Sequence, residues 1–218
     1  MTAQNLSLYH IVRESSLQKN APLLILFHGY GSDENDLFSF ASELPEELFI
    51  ISVRAPQAMQ PYGNAWYTIN FDASGAKWSD DKEAATSRDV IAKFIDEAIE
   101  NYPVNKNNVS LLGFSQGTIL CYAVALTYPE KIKNIIALSG YINPAILPED
   151  IESKDYSKLN FYCSHGSVDQ VIPVEWARKA PQFLTALKIK HTYSEFPVGH
   201  GVAPQNFYAF KEWLLDKI

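Results

Sequence analysis

Cysteine is scarce in this 218-residue chain: there are two, Cys121 and Cys163, and both stand inside apolar runs. A disulfide-built scaffold is thereby excluded, and buried free thiols in a reducing compartment are the expectation. Basic residues are also short, with 18 Lys and Arg against 25 Asp and Glu and a formal net charge of −7. Such a surface repels phosphate backbones and anionic headgroups, so neither nucleic acid nor an anionic membrane is expected as a partner. No window approaches about 18 consecutive apolar residues, so no membrane span is expected. The opening "MTAQNLSLYHIVRESS" lacks a cationic segment followed by an apolar one, so export is not expected and the cytoplasm is the expected location. Linkers, charge runs and internal repeats are missing as well. With 47% hydrophobic and 20% charged residues, positions 1–218 are expected to form a single α/β domain.

What the chain does have is a series of short aliphatic and β-branched runs: "LLILFH", "LFIISVRA", "NVSLLGF", "IKNIIALSG", "LNFYCSHG" and "KHTYSEFPV". Most lack strict apolar/polar alternation, the mark of strands covered on both faces, so a mostly parallel central sheet with helices on both sides is expected. "SLYHIVRE" is ambiguous and reads as an extra antiparallel edge strand. Between the runs, Val90, Ile91, Phe94, Ile95 and Ala98 recur at helical spacing, as do Phe207, Phe210, Trp213 and Leu214. Residues 174–187 are helical in pattern, with Pro181 expected to break or kink them. Strand and helix thus alternate along nearly the whole length, as in layered α/β folds.

In "VSLLGFSQGTILCYAVALTY" a strand ends in Gly113-x-Ser115-x-Gly117 and passes directly into a helix. That is the nucleophile elbow, in which glycines flank a serine on a strained turn because larger neighbours would collide. A serine hydroxyl needs a base, and the base needs a carboxylate to orient it. In such sheets they follow in the order Ser, Asp or Glu, His, on loops after later strands. Asp169 follows "LNFYCSHG" and His200 follows "KHTYSEFPV", both at carboxyl ends of strands. His10 and His191 fall inside strands, and His28 precedes the elbow. His165 is the rival base, but it shares a loop with the acid. Asp150 and Asp155 belong to a polar stretch that reads as a solvated loop. The bland readings are a chance motif and satisfied loop residues; the strand–turn–helix context and the two loop positions outweigh them.

Acyl transfer places negative charge on a carbonyl oxygen, so backbone N–H donors are needed. The residue after the nucleophile, Gln116, is one; the second comes from a glycine-rich loop after an early strand, here Tyr30 in "LLILFHGYGSDENDL". The same loop could be read as a dinucleotide fingerprint. Glu34 stands where a third glycine belongs, however, and Asp33, Glu34 and Asp36 would repel a phosphate. Those acids suit instead the positive end of the following helix. No histidine spacing suggests a metal.

Together "LFHGYGSDENDL", "RAPQ" with the later "WY", "GFSQG", "HGSVDQVIP" and "GHGV" resemble the phospholipase/carboxylesterase group of α/β-hydrolases, which includes acyl-protein thioesterases and small carboxylesterases. The resemblance spans nearly the full chain. It implies an α/β-hydrolase fold and a Ser115–Asp169–His200 triad, and a single domain of this size leaves little room for a separate cap domain. It also implies an oxyanion hole from the backbones of Tyr30 and Gln116, and no cofactor or metal. Two positions depart from the family pattern: Tyr30 stands where leucine is usual, which would narrow the acyl pocket, and Thr118 where glycine is usual, which would tighten packing behind the elbow.

The segment 57–81, rich in aromatic and turn residues, is long for a connection. It reads either as a wall over the acyl site, with Trp66 and Tyr67 lining it, or as a packed surface loop. The expected partner is a small-molecule ester or thioester with a short to medium acyl chain. Lysophospholipase and acyl-protein thioesterase activities are alternatives, and a non-catalytic ligand-binding member of the fold is the alternative of another class. A homodimer is left open.

Overall fold

The structure, a computed structural model, describes residues 4–71 and 77–218. Seven strands form one sheet: β1 (His10–Arg13), β2 (Ala21–Phe27), β3 (Phe49–Val53), β4 (Val104–Phe114), β5 (Asn134–Leu138), β6 (Asn160–Gly166) and β7 (Lys190–Phe196). Their spatial order is β1-β3-β2-β4-β5-β6-β7. Every neighbouring pair is parallel except β1 with β3, where His10 faces Val53 in an antiparallel ladder. The segment "SLYHIVRE" is therefore the edge strand. Strand β4 starts earlier than its apolar pattern announces: Ala21 faces Val104, then Leu23 faces Val109, so the polar residues 105–108 loop out of the ladder.

The helices are α1 (Asn35–Phe38), α2 (Asp81–Asn101), α3 (Gln116–Thr127), α4 (Val174–Ala177), α5 (Lys179–Ala186) and α6 (Pro204–Leu215). Helix α2 begins ahead of its apolar stripe because Asp80 caps it, its carboxylate accepting from the Glu83 N–H at 3.0 Å. The pattern over residues 174–187 breaks at Arg178, not at Pro181 itself. Pro181 then lies in the first turn of α5, where its missing N–H has no carbonyl to bond.

Both faces of the sheet are buried, which is why its strands read as continuous apolar runs. On one face Leu23, Ile25 and Phe27 of β2 belong to a continuous apolar layer with Phe94 of α2, Ile119 of α3 and, over β7, Leu184 of α5. On the other, Leu24 and Leu26 meet Leu37 of α1 and Phe210 and Leu214 of α6. Each such side chain contributes about 1.5–3 kcal/mol by leaving water. Helix α3 is buried at all 12 positions, packed between β4, β5 and α2.

His10 joins β1 to this core. Its Nδ1–H donates to the Leu8 carbonyl at 2.8 Å, and its Nε2 accepts from the Tyr102 hydroxyl at 2.6 Å. Burial pushes its pKa below the ordinary imidazole value of about 6.5. As pH falls through that value the unfolded chain takes up a proton that the native state refuses, so stability is full above about 6.5 and declines below it. Denaturant midpoints at pH 7.5 and 5.5 should differ in that direction. His10→Gln should lower the midpoint at pH 7.5 and shrink the difference between the two.

Candidate functional site

Ser115 occupies the one-residue turn between β4 and α3, with φ 54° and ψ −117°, left-handed backbone that a non-glycine residue holds only when its surroundings enforce it. They do so by contact. A Cβ on Gly117 would stand 2.0 Å from the Phe27 carbonyl oxygen, and one on Gly113 would stand 2.6 Å from the Thr118 nitrogen. The Ser115 N–H donates to Leu138 O at 3.0 Å, fixing the turn to the end of β5. Thr118 does tighten this region: its hydroxyl donates to Leu138 O at 2.6 Å and accepts from Leu138 N–H at 3.0 Å. Its methyl fills the space that a side chain at Gly140 would need.

The three loops expected to converge do so. His200 Nε2 lies 2.9 Å from Ser115 Oγ, and His200 Nδ1 lies 2.7 Å from Asp169 Oδ2. The imidazole packs on the Phe114 ring, centroids 4.9 Å apart. Asp169 Oδ1 accepts from the N–H groups of Val171 and Ile172 at 2.8 and 3.0 Å. Burial alone would raise the Asp169 pKa. The hydrogen bonds from His200 and those two amides outweigh it and hold the pKa below the usual carboxylate value.

The rival histidine is close but committed elsewhere. His165 is fully buried, and its Nε2 bonds the Ile172 carbonyl at 2.9 Å while standing 3.3 Å from Asp169 Oδ2. Asp150 and Asp155 lie on the surface, the first paired with Lys154 and the second accepting from the Ser157 amide.

Gln116 opens α3, so its N–H belongs to the first turn, whose amides have no partner within the helix. Its side chain holds the next loop: Oε1 accepts from Trp66 N–H at 2.9 Å, and Nε2 donates to Tyr67 O at 2.8 Å. The Tyr30 loop is pinned on both sides of its amide, Gly31 N–H donating to Asn64 O at 2.9 Å and Trp66 Nε1–H to His28 O at 3.0 Å. His28 supports it from below. Its Nδ1–H donates to Gly29 O at 2.7 Å, and its Nε2 accepts from Ala55 N–H at 3.0 Å. The acids after this loop divide: Asp33 caps Asn35, but Glu34 turns inward and makes a two-pronged ion pair with Arg54, at 2.6 and 2.5 Å. Those bonds hold the Glu34 carboxyl below its usual pKa. Glu34 therefore anchors the loop to β3 rather than serving the short helix α1.

Over Ser115 opens a cleft of about 350 Å³ with aromatic walls, to which Tyr30, Tyr67, Trp78, Tyr141 and Trp176 contribute. Tyr30 stands in the wall. Tyr67 lines the cleft, whereas Trp66 has no exposed surface and lies beneath the wall. Of segment 57–81, residues 72–76 lie outside the described residues. The rest includes two small hairpins, Gln57–Ala58 with Asn64–Ala65 and Ile69–Phe71 with Lys77–Ser79. Tyr141 and Trp176 carried no motif. Their only signal in the sequence is position, each on a loop or short helix following a strand's carboxyl end.

A serine on a strand–helix elbow at the carboxyl edge of a mostly parallel sheet, with both faces of that sheet covered, defines an α/β-hydrolase fold. The phospholipase/carboxylesterase family model matches residues 9–217, and the chain belongs to that family. It is an enzyme, a hydrolase of the carboxylesterase and thioesterase class, which sets aside the non-catalytic alternative. Acyl-protein thioesterase 1 of Kluyveromyces lactis is 28% identical over 183 residues, 78% of each chain. The solved structure of esterase PE8 matches with a TM-score of 0.84 at 25% identity, over 98% of this chain and 100% of that one. A Bacillus cereus carboxylesterase shares the fold with a TM-score of 0.82 at 19% identity, over 98% of this chain and 96% of its own.

The approach of Gly117 to Phe27 gives a direct test. Gly117→Ala must move backbone against backbone, so a loss of about 3 kcal/mol or more in unfolding free energy is expected from a urea titration. A change below about 1 kcal/mol would mean that the elbow is not packed this closely.

Proposed function

We propose that Ser115, His200 and Asp169 form the catalytic triad of a serine esterase, an assignment carried by their hydrogen-bonded series at the floor of an apolar cleft. Ser115 Oγ attacks the carbonyl carbon of the bound ester while His200 Nε2 takes the hydroxyl proton. The oxygen that gains charge is met by the N–H groups of Tyr30 and Gln116. As the tetrahedral intermediate collapses, His200 returns the proton to the leaving alcohol or thiol, and the acyl group stays on Ser115. Water then gives a proton to His200, attacks the acyl carbon and releases the carboxylic acid. Asp169, kept ionised by its three donors, holds the His200 Nδ1–H and stabilises the imidazolium that forms at each step.

The substrate is a carboxylic ester or thioester of short to medium acyl length, for which a cleft of about 350 Å³ walled by Tyr67, Trp78 and Tyr141 is suited. The thioester reading draws on the relative named an acyl-protein thioesterase, and it includes S-acylated protein as substrate. Lysophospholipid hydrolysis draws on the phospholipase in the family's description. Both cysteines are buried free thiols, in keeping with a reducing, cytoplasmic setting, and no helix among the described residues is long and apolar enough to cross a membrane.

Ser115→Ala should lower kcat for p-nitrophenyl butyrate by about 10⁴-fold or more and abolish labelling by a fluorophosphonate, with folding intact by circular dichroism. Asp169→Asn, which favours the wrong His200 tautomer, should cost about 10⁴-fold in kcat. Near-normal turnover by Ser115→Ala would end the assignment.

A further inference from the structure

We propose that Tyr141 and Trp176 form a partition between the cleft over Ser115 and a second apolar cavity, and that this partition sets the acyl-chain length the enzyme accepts, a reading that rests on Ser115 as nucleophile. The two rings meet edge to face, centroids 5.1 Å apart and planes at 74°. Both line the cleft, and both also line a neighbouring cavity of about 380 Å³ with Ile142, Pro144, Lys179 and Phe183. The same pair is thus a wall seen from either side. The lining on the far side is largely hydrocarbon and aromatic, so its occupant is the distal part of an acyl chain whose carbonyl sits at Ser115.

The two rings are held unequally. Tyr141 is half-buried and lines the cleft together with Ser79. Trp176 is 40% exposed and rides on the four-residue α4. The end of that helix is fastened by Arg178, whose guanidinium makes two 2.8 Å bonds to Glu195. With the backbone anchored and the indole at the surface, rotation of the Trp176 side chain is the motion that opens the partition. Magnitudes favour it for long chains. Parting an aromatic pair costs a factor of about three to ten, whereas each methylene that leaves water contributes about fourfold. Two methylenes beyond the partition are enough to offset it.

The test is kcat/KM for p-nitrophenyl esters from butyrate to dodecanoate in wild-type, Trp176→Ala, Ile142→Trp and the double variant. In the wild-type, kcat/KM should climb with chain length until the cleft is full, stall at the partition, and climb again once about two methylenes lie beyond it. Trp176→Ala should remove that stall and raise the dodecanoate-to-butyrate ratio by about three- to tenfold, the cost of parting the pair. Ile142→Trp, which fills the second cavity, should lower the same ratio and cancel the gain in the double variant. If Trp176→Ala does not fold, Tyr141→Ala opens the same wall from its other side. An unchanged ratio in the opened variant, or a gain that survives Ile142→Trp, would overturn the partition. Butyrate turnover that persists in Ser115→Ala would instead overturn the nucleophile, so the two failures are separable.

Discussion

At Gly117 the first turn of α3 lies against the carbonyls of Phe27 and His28, closer than any side chain allows. The helix is forced there because all 12 of its residues are buried between the sheet and α2, leaving no solvent side toward which it could shift. The strand and helix must then be joined within a single residue, and Ser115 takes the left-handed backbone that such a turn demands. Its hydroxyl stands at the carboxyl end of β4, beside the first turn of α3, whose amides have no partner within the helix. Strand order does the rest. With β4 followed by β5, β6 and β7, the loops after β6 and β7 arrive from one side, bringing a carboxylate and an imidazole to the serine in series.

The electrostatics of that series depend on satisfied partners more than on exposure. Asp169 is buried, which works against its charge, yet three donors keep it ionised. His165 shows the contrary case. It has an imidazole nitrogen 3.3 Å from the same carboxylate, but the Ile172 carbonyl occupies that nitrogen, so it helps to hold the loop instead of reaching the serine. Both imidazoles lie within reach of the carboxylate, and geometry joins His200 to the serine hydroxyl.

Polar side chains beneath the cleft carry its walls. Gln116 makes two side-chain bonds that suspend the Trp66–Tyr67 segment. Glu34 and Arg54 tie the Tyr30 loop to β3, and Arg54 also lies 4.2 Å from the centroid of the Tyr9 ring, extending the tie to the segment that leads into β1. Tyr30 and Tyr67 are thus held by hydrogen bonds of the segments that carry them, which leaves their rings to line the cleft.

Much of this was legible in the chain. Apolar runs without alternation announced strands covered on both faces; the glycines around Ser115 announced a turn with no room for side chains; Asp169 and His200 were marked by their places after two later strands. These are local signals, because periodicity, turn chemistry and spacing are written in consecutive residues. What consecutive residues do not record is which polar group faces which across the fold. The inward turn of Glu34 to Arg54, the burial of Trp66 beneath the wall that Tyr67 lines, and the outward loop at residues 105–108 all follow from packing between distant segments. Tyr141 and Trp176 are the plainest instance, since they lie 35 positions apart and meet only when the loop after β5 folds against α4. The sequence determined the elements and the chemistry of the three loops, because those depend on local backbone preference and residue type. Tertiary structure alone decided the walls of the cleft, because their contacts exist only after the sheet has brought separate loops to one edge.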